Sequence, residues 1–181
     1  MGVPLVMAVS SPTANAWGWN NTPVSAVFSG TDAVSGIAYC EPNKLVSIAS
    51  ASQTVSGYCM DYAGWSSTAS LTVNLDTTAP NLLYIASPSA NVAGWNNSDV
   101  TVTFTCADAL SGVKSCPADV LLTGEGMNVP TMAKAYDYAG NSTDVPVSGI
   151  NIDKTAPISM AAIAGAYSNG WYTSSVSVIL T

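Results

Sequence analysis

Residues 87–104, SPSANVAGWNNSDVTVTF, restate residues 11–28, SPTANAWGWNNTPVSAVF, at an offset of 76. The tail of this stretch reads as a strand. Val100, Val102, Phe104 and Cys106 alternate with Thr101, Thr103 and Thr105, and Val24, Ala26 and Phe28 hold the same columns in the earlier copy. Such period-two alternation marks a strand with one face on a core and the other in water. The same offset lays TDAVSGIAYC (31–40) over ADALSGVKSC (107–116) and DYAG (61–64) over DYAG (137–140). One inserted residue later, NLDTTAP (74–80) matches NIDKTAP (151–157). A third copy opens with KTAP at 154–157 and continues as NGWYTSSVSVILT at 169–181, bringing Val176, Val178 and Leu180 into the strand columns. Self-similarity at a fixed period makes each copy one structural unit. The chain therefore divides into repeat 1 (1–76), repeat 2 (77–153) and an incomplete third repeat (154–181). Met1-Gly2-Val3 falls at the end of a linker motif, because Pro4 precedes Pro80 by the same 76 residues, and no charged segment or cleavage site of a signal peptide follows it.

Further β-rich runs lie near 3–9, 44–49, 53–60 and 68–75, with counterparts in repeat 2. Clusters of Gly, Pro, Asn, Asp and Ser separate them and supply turn conformations. No segment sustains a 3.6-residue apolar period, so six or seven short strands per repeat predict an all-β sandwich. The path between Cys40 and Leu45 is left without a strand assignment. Composition narrows the function. The chain has 11 acidic residues, 4 Lys, no Arg and no His, for a net charge of −7. That excludes a basic nucleic-acid footprint and a polybasic membrane anchor. It also removes the commonest general base and metal ligand. A hydrophobic content of 48% supports a buried core, and no apolar run is long enough to span a bilayer as a helix.

The repeated motifs are G-W-N-N-x-x-V, D-x-x-S-G, D-x-A-G-N and D-x-T-A-P, in fixed order. This signature resembles the tandem immunoglobulin-like repeats of bacterial and archaeal surface proteins and large adhesins. The resemblance covers the whole chain and implies tandem immunoglobulin-like β-sandwiches used as stalks, spacers or binding modules. Repeat 1 departs from the pattern in having Gly64-Trp65 where repeat 2 has Gly140-Asn141, and Gly30 where repeat 2 has Cys106.

Four cysteines allow three pairings. Cys40 and Cys116 share a column, whereas Cys59 lies in the column of Ala135 and Cys106 in that of Gly30. The simplest pairing is one bond per repeat, Cys40–Cys59 and Cys106–Cys116, with buried free thiols as the alternative. Zinc requires closely spaced Cys pairs or His, and neither is present. Paired cysteines imply an oxidising compartment.

Six of the acids fill three repeated columns: Asp32/Asp108, Asp61/Asp137 and Asp76/Asp153. One reading is turn chemistry, since Asp accepts hydrogen bonds from backbone two residues on. The other is calcium, which takes several oxygens from carboxylates and carbonyls. With an odd strand count, Asp76 at the end of repeat 1 meets Asp108 and Asp137 of repeat 2, resembling the shared-ion linkers of cadherins. With an even number the composite site disappears.

Trp19, Trp95 and Trp171 recur with the repeat and read as plugs over the sandwich end, whereas Trp17 and Trp65 are unique to repeat 1 and suit stacking on a sugar. Asn20, Asn96 and Asn141 head N-x-[ST] sequons. No carboxylate pair is unique and no His completes a triad, so an enzyme is not expected. The expected function is a non-catalytic structural segment of an extracellular, cell-surface stalk, adhesin or filament, with a carbohydrate-binding module of a secreted protein as the alternative. Expected partners are neighbouring copies or further repeats, and surface glycans in the alternative. The third repeat carries two strands only, so either the chain continues past Thr181 or a neighbouring chain supplies the missing strands.

Overall fold

The computed structural model describes residues 2–181; Met1, assigned above to a linker motif, lies outside them. Repeat 1 contains β1 (Leu5–Ser11), β2 (Val24–Thr31), β3 (Ile37–Cys40), β4 (Lys44–Val46), β5 (Ser50–Asp61) and β6 (Ser66–Leu75). They form two antiparallel sheets of order β1-β2-β4 and β3-β5-β6. Repeat 2 contains β7 (Asn81–Ser87), β8 (Trp95–Asn96), β9 (Val100–Ala107), β10 (Val113–Ser115), β11 (Val120–Leu122), β12 (Thr131–Asp137), β13 (Ser142–Val147) and β14 (Asn151–Ile152). Its sheets, β11-β9-β7 and β10-β12-β13, repeat the first pair, and β8 with β14 forms a short parallel ladder at the end. The fold is all-β. No helix long and apolar enough to cross a membrane is present among the described residues.

The alternation read from the sequence is the packing pattern. In β2 and β9 the residues Val24, Ala26, Phe28 and Val100, Val102, Phe104 are all buried. Val24 packs with Val46, Val73 and Leu75 in repeat 1, and Val100, Val102 and Phe104 pack with Ala133, Ala135 and Val147 of β12 and β13 in repeat 2. The unassigned path between Cys40 and Leu45 is a sheet switch. β3 pairs with β5, whereas β4 pairs with β2, aligning Val24 with Val46 and Ala26 with Lys44. These registers make β3 and β4 run in the same direction, so together they form one passage along the sandwich. Repeat 1 thus crosses from pole to pole five times: β1, β2, β3 with β4, β5 and β6. The count is odd. The β2–β3 and β5–β6 loops, carrying Asp32 and Asp61, consequently share the pole where β1 starts, and Asp76 leaves β6 at the other.

Cys40 is bonded to Cys59 and Cys106 to Cys116. The first bond joins register partners on β3 and β5 of one sheet, and the second ties β9 to the chain after β10 in the facing sheet. The columns are reciprocally filled. A Cβ on Gly30 would stand 3.0 Å from the Cys59 sulfur, while repeat 2 puts Cys106 in that column and the small Ala135 in the column of Cys59. Two such bonds fit a non-reducing environment.

The third repeat has β15 (Ala161–Ala164), β16 (Tyr167–Ser168), β17 (Trp171–Tyr172) and β18 (Ser177–Leu180). β15 pairs with β18 as β7 pairs with β9, but every residue from 153 to 181 is exposed. The first strand begins at Ala161 rather than at Pro157, with backbone hydrogen bonds extending the ladder to Met160 and Thr181. Val176, in the column of the fully buried Val24 and Val100, is 45% exposed.

One contact in the core gives a direct test. A Cβ on Gly57 would fall 2.6 Å from the Phe28 ring, whereas repeat 2 accommodates Ala133 at the same column beneath Phe104. Gly57→Ala is expected to destabilise repeat 1 by about 1–3 kcal/mol through overpacking, read as a lowered denaturant midpoint. An unchanged midpoint would show that Phe28 is free to withdraw.

Candidate functional site

The odd number of passages brings Asp76, Asp108 and Asp137 together at the junction of repeats 1 and 2. Each contributes a carboxylate oxygen within 4.8 Å of the others. Asp76 and Asp137 are 0% exposed, and Asp108 is half-buried. Local turn chemistry holds each one. Asp76 Oδ1 accepts from Thr78 N at 2.9 Å. Asp108 Oδ1 accepts from Leu110 N at 3.2 Å and Gly112 N at 2.7 Å. Asp137 Oδ1 accepts from Gly140 N at 2.6 Å and Asn141 N at 2.7 Å. The turn reading and the cluster are therefore not rivals: the turns orient the carboxylates, and the sandwich ends bring them together.

Hydrogen bonds cross the junction at the same place. Asp76 Oδ2 accepts from Ser111 N of repeat 2 at 3.0 Å. The Asn141 amide donates to Asp137 Oδ2 at 2.7 Å and to the linker carbonyls of Asp76 and Thr78 at 2.9 and 3.2 Å. None of the chain's four lysines pairs with the cluster. Lys44, Lys134 and Lys154 bind Glu41, Asp144 and Asp99. The Lys114 ammonium stands over the Trp17 ring at 3.8 Å. With no Arg or His in the sequence, the protein has no other side-chain cation to offer. Buried carboxylates are ordinarily paired or bound to a metal, so this donor set fits an oxygen-loving divalent cation.

The equivalent positions are incomplete in other ways. At the first pole of repeat 1, Asp61 is buried and its Oδ2 has no hydrogen-bond donor, where Asp137 has the Asn141 amide; the column of Asn141 holds Trp65. Asp32 Oδ1 accepts from the backbone N–H groups of Ser35, Val34 and Gly36, and the Ser35 bond leads in holding its carboxyl below the usual range. Asp153, at the end of repeat 2, is exposed and caps Thr155 N at 3.0 Å.

Trp17, 50% exposed, makes its aromatic and cationic contacts across the junction. Its ring centroid lies 6.1 Å from that of Tyr138 in repeat 2, and Lys114 covers the ring. Asn15 shapes this loop by accepting from Trp17 N and Trp19 N, then donates its amide across the junction to the Tyr138 carbonyl at 2.9 Å and the Ala139 carbonyl at 3.2 Å. Trp65 follows β5 at the opposite pole of repeat 1, so the two unmatched tryptophans do not make one platform. Trp19 and Trp95 are half-buried, and Trp171 is exposed. The sequons are turned inward. Asn20 and Asn96 are buried, with amides donated to the carbonyls of Pro12 and Asn151, and the Asn141 amide is spent on the junction. A glycan on Asn20 or Asn96 requires a buried amide to reach solvent, and one on Asn141 takes a hydrogen from the amide that bridges the junction.

Removing the indole tests the clamp. Trp17→Ala is expected to weaken the junction by about 1 kcal/mol, the scale of an exposed cation–π contact, and to raise amide exchange in the linker at 77–79. Trp65→Ala, at the other pole, should leave that exchange unchanged.

No protein-family model matches the chain, and no curated protein matches it.

Proposed function

We propose that this chain is a non-catalytic structural segment of an extracellular stalk, adhesin or filament at a cell surface. In this reading its repeats are immunoglobulin-like sandwiches joined end to end, with calcium bound at the junction by Asp76, Asp108 and Asp137. The observation that carries the reading is the junction itself: two fully buried carboxylates and a third meet where one repeat hands over to the next, with no side-chain cation against them. Three like charges at this spacing repel, and either protonation or a cation relieves them. A cation held jointly by the linker and by two loops of the following repeat stiffens the joint, which is what a load-bearing or spacing element requires. Two disulfides in a chain this poor in charge support an oxidising, external setting. An enzyme reading gains no support from residues that recur with the repeat.

Calcium added to chelated protein is expected to raise the melting temperature, because a ligand that binds only the native state stabilises it by about 2.7 kcal/mol at a hundred times its Kd. Asp108→Asn should blunt that shift while leaving the chelated protein's melting close to wild type. An identical melting curve with chelator and with millimolar calcium would return the three aspartates to turn chemistry alone.

A further inference from the structure

The first strand of each repeat is apolar on both faces. β1 reads Leu5-Val6-Met7-Ala8-Val9, and β7 contains Leu82-Leu83-Tyr84-Ile85-Ala86. A strand with one wet face alternates, whereas a continuous apolar run belongs to a strand covered on both sides. Only one side is covered here. In β7, Leu82 is buried, and Tyr84 and Ala86 pack against the same core. Met7, Val9, Leu83 and Ile85 point outward, each half exposed or more.

The bare face is a surface of the sheet, and it recurs. Leu45 and Leu121 occupy the same column, are both well exposed, and pair with Ser25 and Thr101 on the central strand. Val27 and Ser29 oppose Val9 and Met7, and Thr103 and Thr105 oppose Ile85 and Leu83. The column of Met7 and Leu83 is filled by Met160 in the third repeat, again exposed. No ionisable group stands among the outward residues of β1 and β2, and in repeat 2 the neighbouring Asp119 accepts from the Thr103 hydroxyl at 3.0 Å.

We propose that this face is a lateral interface, and that its occupant is a second copy of the chain lying alongside. The partner follows from charge and period. A chain of net charge −7 is repelled by its own kind. Six of its acids are gathered at the poles, which leaves the repeat 1 part of this face neutral and the repeat 2 part with Asp119 at its β11 edge, so two copies can approach on it. An apolar patch that recurs at the repeat offset is matched by an object carrying the same period, which another copy does. A seven-residue strand is about 23 Å long and three strands span about 14 Å, so each repeat offers roughly 300 Å² against the ~800 Å² per partner of a standard interface. One repeat alone associates weakly, and successive repeats add through avidity. The proposal extends the structural reading above and rests on it only for the idea of an array; the calcium response of the junction is independent of it.

Sedimentation velocity of the full chain, up to about 1 mM where weak interfaces register, tests the proposal. The wild-type chain is expected to associate reversibly, more strongly in ammonium sulfate, as hydrophobic contacts do. Met7→Lys with Leu83→Lys should stay monomeric while keeping the wild-type near-ultraviolet circular dichroism. Should that pair misfold, Leu45→Lys with Leu121→Lys tests the same face. A wild-type chain that is monomeric throughout overturns the proposal. So does a folded double variant that associates like wild type, which would place the contact on the exposed β15–β18 hairpin.

Discussion

Two carboxylates with no exposed surface, Asp76 and Asp137, face a third at the handover between repeats. This arrangement depends on the direction in which each strand runs. Because β3 and β4 are one passage that changes sheets, β6 ends at the pole opposite to the one where β1 starts. Asp76 is thereby delivered to the pole of repeat 2 that holds Asp108 and Asp137. A further pole-to-pole passage would have put the linker carboxylate beside its own repeat. The handover then acquires contacts that need no ion: Ser111 N on Asp76, the Asn141 amide on the linker carbonyls, and the Asn15 amide on Tyr138 and Ala139. These tie the two repeats to each other, and the three carboxylates remain at the centre of the contact with no side-chain cation against them.

The disulfides show how one framework tolerates different staples. Cys40 and Cys116 stand at one column, within reach of both β2 and β5 or their counterparts β9 and β12. Repeat 1 uses the neighbour on β5, and glycine on β2 makes room for the sulfur. Repeat 2 uses the neighbour on β9, and alanine on β12 fills the space left behind. Close packing requires this exchange, since an extra side chain in either column would meet the bond of the other. Each small repeat thereby gains a cross-link that compensates for a modest core.

Much of this was legible in the sequence because the chain is written more than twice. Aligning the copies turns strand columns into a core and places Asp32/Asp108, Asp61/Asp137 and Asp76/Asp153 at loop ends. The alternation at 99–106 anticipates β9 within one residue. The sheet switch after Cys40 was not legible, because β3 and β4 are only four and three residues long and neither shows a period. The role of Trp17 was hidden for another reason. Its partners Lys114 and Tyr138 belong to the next repeat, and an unmatched exposed tryptophan looks the same in sequence whether it stacks on a sugar or on a neighbour. Asn15 left a faint trace, since Asn91 shares its column and builds the same loop on Ala93 N and Trp95 N. The burial of Asn20 and Asn96 was not legible, because a sequon describes three residues, while that burial is set by distant β6 and β14 strands packing at the sandwich end.

If the junction makes repeats 1 and 2 one mechanical unit, the two must tumble together. Backbone 15N relaxation gives the rotational diffusion tensor of each repeat separately. The account predicts a single shared tensor with calcium present, and faster, partly independent tumbling once calcium is chelated. Two repeats that tumble independently in both conditions would contradict it.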